Sequence, residues 1–105
     1  MSRPLPSSTP GEKVRRLEWA APALADLQAA GEYIAQDNPT AARRVASRVR
    51  EAVEILQDQP NLGRPGRLAG TKELVVSGTP FVVVYRVRKG DVHIIRLLHY
   101  SMRWP

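Results

Sequence analysis

The chain has 105 residues, enough for one domain and not comfortably for two. Sixteen Lys and Arg against ten Asp and Glu leave a formal charge of +6, which favours an anionic partner: nucleic acid or an acidic protein segment. The absence of cysteine excludes disulfides, zinc–thiolate centres and cysteine nucleophiles, and it suits a reducing compartment.

Residues 1–12, MSRPLPSSTPGE, hold three Pro and three Ser, with Leu5 the only large apolar residue after Met1. So little apolar surface cannot offset the entropy of ordering, and a disordered tail is expected ahead of a single domain over residues 13–105. No apolar h-region marks a signal peptide. The longest apolar run, Phe81 to Tyr85, is far too short to span a bilayer. A cytoplasmic protein is the expectation.

Residues 13–19 read as a short edge strand with Val14, Leu17 and Trp19 as its apolar positions. Pro22 suits the first position of a helix, where its missing N–H costs nothing. That helix is predicted over residues 22–36, with Leu24, Leu27, Gly31 and Ile34 on one face. Gly31 lowers helix propensity but would permit close approach to a neighbour. Tyr33 falls nearly opposite and is expected to be packed by another segment. Asp37-Asn38-Pro39 is a helix stop and restart, an Asx cap followed by Pro. The second helix, residues 39–57, should bury Ala42, Val45, Val49, Val53 and Leu56. Its outer face mixes charges, and the Arg50–Glu54 and Arg48–Glu51 spacings allow local pairs.

Residues 59–70 form a loop with Arg64 and Arg67 at its centre. Strands are predicted over 73–77, 81–87 and 92–99, the last two joined by a turn at Lys89-Gly90. The register hangs on that turn. A two- or four-residue loop places Arg86, His93 and His99 on one face and Arg96 on the other with Tyr85 and Tyr100. A three-residue loop places Arg86 and Arg96 together. The order β-α-α-β-β-β implies an α+β fold, a helix hairpin covering one face of a mainly antiparallel four-stranded sheet.

His93 and His99 are the only histidines and have no carboxylate at ligand spacing, so no metal site or cofactor is expected. No Ser-His-Asp signature or phosphate-cradling Gly loop is present. The remaining candidates are cationic: Arg64, Arg67, Arg86 and Arg96, then His99, Tyr100, Arg103 and Trp104. Arg86 and Arg96 could equally point to solvent or pair with Glu73 or Glu18, and Trp104 could close the core. A ribonuclease exploiting the 2′-hydroxyl would need phosphate-binding cations and an acid–base pair. His99 with Arg64, Arg67 and Arg96 nominally qualifies. The loop, however, offers Gly66 where Glu or Lys would be wanted.

The runs Leu17-Glu18-Trp19, Asp26-Leu27, Tyr33-Ile34-Ala35 and Asp37-Asn38-Pro39 resemble the RelE/ParE toxin superfamily. So do Gly63-Arg64-Pro65-Gly66, Gly70-Thr71-Lys72-Glu73-Leu74-Val75, Gly78-Thr79-Pro80, Tyr85-Arg86-Val87 and Leu98-His99 with Arg103-Trp104-Pro105. Their order and spacing over residues 13–105 resemble the ParE branch. The resemblance implies the same β-α-α-β-β-β fold and the toxin of a type II toxin–antitoxin pair. Such a toxin binds DNA gyrase, stalls it on cleaved DNA and blocks replication, without catalytic turnover of its own. A ParD-like antitoxin is implied as partner in a hetero-oligomer, its C-terminal segment folding along the toxin. The alternative is a ribosome-dependent mRNA endonuclease of RelE type, with Arg64, Arg67, Arg96 and the His99-Tyr100 pair in comparable regions. Gly66 departs from the acidic or Lys residue those nucleases use.

Overall fold

The computed structural model describes residues 15–100. The tail over residues 1–12, Val14, Arg103 and Trp104 lie outside them. Strand β1 (Leu17–Trp19) leads into α1 (Ala21–Asp37) and α2 (Pro39–Asp58). Then follow β2 (Arg64–Pro65), β3 (Lys72–Val75), β4 (Phe81–Arg88) and β5 (Asp91–His99). They form one sheet in the order β1-β5-β4-β3-β2. β1 runs parallel to β5 and the other pairs are antiparallel. The expected four strands become five, because Arg64 and Pro65 pair with Glu73 and Lys72. Among the described residues no helix is long and apolar enough to cross a membrane.

Local signals account for the helix hairpin. Pro22 enters α1 in its first turn, and α1 ends at Asn38, whose N–H donates to Ile34 O at 2.9 Å. The Asn38 side chain then accepts from the Ala41 N–H at 3.0 Å and caps α2. On α2 the expected stripe is observed: Val49, Val53 and Leu56 are buried, with Val45 and Ala52 packed beside them. Neither local Arg–Glu pair forms there among the described residues.

The face of α1 is rotated from expectation. Ala23, Leu27, Ala30 and Ile34 meet the core, whereas Leu24 is 51% exposed and Tyr33 is 74% exposed. The reason is steric: alanines let the helix lie close to the sheet, so the small residues face inward. Gly31 is not a point of close approach, since a Cβ there would meet nothing within 4 Å. Gly31→Ala is therefore expected to stabilise the fold by about 0.5–1 kcal/mol, read as a raised thermal midpoint.

The turn at Lys89 and Gly90 has φ of 53° and 85°, both left-handed, and Arg88 pairs with Asp91 across it. Positive φ at both central residues matches the tight hairpin turn whose twist suits the strands. Val87 thus pairs with Val92 and Arg86 with His93. Beyond Tyr85–Ile94 the register shifts, and Val84 pairs with Arg96 and Phe81 with His99. Ile95 is the extra residue of a bulge. Both registers considered from the sequence therefore occur, one on each side of the bulge. By register Arg96 joins the face of Arg86, and His99 leaves it.

Phe81, Val83, Tyr85, Val92, Ile94 and Leu97 form the sheet side of the core under the helices. Val82, Val84 and Leu98, also buried, lie outside that cluster, and strand alternation turns them to the opposite face.

Candidate functional site

The basic loop between α2 and β3 is anchored at two points. Tyr85, fully buried on β4, accepts the Gly63 N–H and donates to Pro60 O, both at 2.8 Å. A Cβ on Gly63 would come within 2.7 Å of the Tyr85 hydroxyl, so only glycine admits this bond. Further along, the Gly66 N–H donates to Thr71 O at 2.8 Å, and the Thr71 hydroxyl donates to Leu68 O at 2.7 Å. A Cβ on Gly66 would run into Thr71 Oγ1. The missing acid or lysine at position 66 is thus a steric consequence of this turn.

Burial pushes the Tyr85 hydroxyl above its ordinary value of about 10, partly opposed by the bond from Gly63. The folded state therefore holds this proton to higher pH than the unfolded chain. Its contribution to stability is complete below about pH 10 and falls as pH rises past it. Tyr85→Phe should remove that alkaline component, and near neutrality it should lower stability by about 1–3 kcal/mol through two orphaned backbone groups. Denaturant titrations at pH 7 and above pH 10 check both effects.

The second anchor is Glu73, 3% exposed although charged. Its Oε2 accepts the Arg67 N–H at 3.0 Å. The guanidinium groups of Arg67 and Arg64 stand 3.7 Å and 3.8 Å from its carboxylate. Those side chains remain 49% and 64% exposed, so both cations are presented outward over a buried counter-charge. Glu73 belongs to the loop arginines, and not to Arg86 or Arg96 as the sequence had allowed. An acid inside the apolar run Glu73-Leu74-Val75-Val76 was the available signal, because such a group needs partners. Val82, Val84, Leu98, His99 and Tyr100 line the shallow pocket beside Glu73.

The remaining candidates are spread out. Cross-strand pairing aligns Arg64, Glu73, Val84 and Arg96 in one row over four strands. Yet the Arg96 guanidinium turns to α1, where it binds Asp26 through Nε at 2.7 Å and Nη2 at 3.0 Å. Asp26 also accepts the Leu97 N–H at 3.0 Å, beyond the point where β1 stops covering β5. That hydrogen bond to Asp26 raises the Arg96 pKa further above its usual range. Arg96 thus clips α1 to the sheet. Arg96→Ala and Asp26→Ala should each destabilise by about 1–3 kcal/mol, and the double variant by less than their sum.

Arg86 lies beside His93 near the hairpin end, where His93 Nδ1 is 3.3 Å from Glu18 Oε1. His99 stacks edge-on against Phe81 with ring centroids 5.6 Å apart and lies 5.7 Å from the Tyr100 ring. Tyr100 is 57% exposed, its N–H held by Pro80 O at 2.9 Å. The structure therefore brings Arg64, Arg67, His99 and Tyr100 to one region and separates Arg86 and Arg96 from it. Rigidly presented cations with an exposed aromatic suit the recognition of an anionic surface.

A sequence profile described as "ParE toxin of type II toxin-antitoxin system, parDE" matches residues 17–104. The chain belongs to this family of toxins. The toxin is 41% identical over 91 residues to "Putative toxin Y4kP" of Sinorhizobium fredii, covering 87% of this chain and 94% of that protein. It is 44% identical over 81 residues to "Toxin RelE2" of Caulobacter vibrioides, covering 77% and 90%. Its fold matches a structure of the "Chromosomal ParDE TA system from P. aeruginosa" with TM-score 0.73 and 28% identity, over 82% of this chain and 96% of that one. The toxin chain also superposes on the intact E. coli RelBE toxin–antitoxin complex with TM-score 0.60. At 13% identity, over 79% and 93% of the two chains, that likeness is one of fold.

Proposed function

We propose that the toxin acts by binding DNA gyrase and arresting replication, and that a ParD-like antitoxin neutralises it. The observation that carries the choice of an inhibitor over a nuclease is the state of the loop. Gly66 leaves no room for a side chain, and the acid beside it, Glu73, is buried and committed to Arg67 and Arg64. A general base must reach its substrate's proton. This acid is turned to its own loop. The family match and the ParDE structural relative support the same branch.

Purified toxin would be added to a gyrase supercoiling and cleavage assay, and in parallel to a translating extract with message-end mapping. Accumulated cleaved plasmid with intact message is the expected result. Codon-spaced message cuts with normal supercoiling would overturn the reading.

A further inference from the structure

Three exposed apolar side chains, from α2, the loop and β3, converge on a groove away from the basic loop site. Ile55, Leu62 and Val75 are each 45–49% exposed and line it, together with Ala52 and Leu74. The groove holds about 520 Å³, counted with the solvent it opens to. Exposed apolar groups gathered in one concavity, with polar residues at the rim, mark a contact surface.

The backbone is open there too. Val76 donates to Phe81 O at 2.9 Å, so alternation turns the N–H and C=O of Val75 away from β4. On that outer side β2 has already ended, at the Arg64–Glu73 pair. Val75 thus offers a short stretch of unpaired sheet edge beside the apolar walls.

Charge selects the occupant. Residues 39–50 of α2 carry Arg43, Arg44, Arg48 and Arg50 and no acid, whereas Glu51, Glu54 and Asp58 follow. Arg48, at the groove rim, reaches over Gly78 and has no carboxylate partner among the described residues. A second copy related by two-fold symmetry would bring this basic half of the helix against itself. Apolar walls offer nothing to a phosphate backbone.

We propose that this groove docks an acidic, amphipathic segment of the antitoxin. Apolar side chains would enter between Ile55 and Leu62, a carboxylate would meet Arg48, and main chain would pair at Val75. The proposal rests on the antitoxin partnership put forward above.

The test uses the full-length toxin and the antitoxin encoded beside its gene, with affinity measured by calorimetry. Ile55→Glu with Leu62→Glu should weaken binding by roughly 30-fold or more, the scale of losing a buried anchor. Leu62→Glu alone, at a loop position, gives a second variant in case the pair disturbs α2. Arg48→Glu should weaken binding and flatten its salt dependence. Tyr33→Glu, on α1, should bind as wild type. Groove variants should still arrest growth when the antitoxin is absent. Unchanged antitoxin affinity in the groove variants overturns the proposal. So does lost growth arrest in a folded variant, which would assign the groove to the target. Self-association of the toxin abolished by the same changes would assign it to a second copy and also overturn the proposal. Wild-type toxin that ignores the antitoxin would overturn the partnership itself.

Discussion

Val49→Asp is expected to leave the toxin without a cooperative thermal transition at room temperature. Val49 is fully buried on α2 among the residues that join the helices to the sheet. The change forfeits the valine's burial, on the order of 1.5–3 kcal/mol, and places an unpaired carboxylate where no donor waits. Together these costs approach the whole stability of about 5–15 kcal/mol that a domain of this kind possesses. Arg50→Asp, on the adjacent exposed position, should change the midpoint little and so separates facing from helix propensity. A native far-UV spectrum with a sharp transition in the Val49 variant would refute the packing described here.

Replacing Arg64 and Arg67 together by Ala is expected to reduce growth arrest at least about 100-fold in the dose required, because each arginine is an exposed candidate anchor. Stability is the complication, since Glu73 would lose both nearby cations. Its pairs with them are long and largely solvent-exposed on the arginine side, so their loss should cost about 0–1 kcal/mol each. The Lys double variant removes the ambiguity. Lysines keep positive charge over Glu73 but lose the planar, forked donors that recognise carboxylate or phosphate. It should melt like wild type and still lose most of its toxicity. Undiminished growth arrest in both double variants would remove the loop from the site.

The corrected role of Arg96 alters how older candidates should be tested. Loss of toxicity in an Arg96 variant reports on the hinge between α1 and β5 as much as on any contact with a target. Its thermal midpoint must therefore be measured beside its activity. His99 and Tyr100, at the end of β5, remain candidates alongside the loop.

Much of the architecture was legible locally. The Pro22 start, the Asn38 cap between helices, the stripe from Val45 to Leu56 and the Lys89-Gly90 turn each act over a few residues. The order of elements, the +6 charge and the family likeness therefore came from the sequence by itself. What the tertiary structure decided joins distant residues. The clip from Arg96 to Asp26 spans 70 positions, and the bond from Tyr85 to Pro60 spans 25. One bulged residue, Ile95, reversed the facing of every side chain after it, because a sheet alternates with period two. Gly66 shows the same division. Its identity is plain in the sequence, but only the folded turn against Thr71 shows that no side chain could stand there.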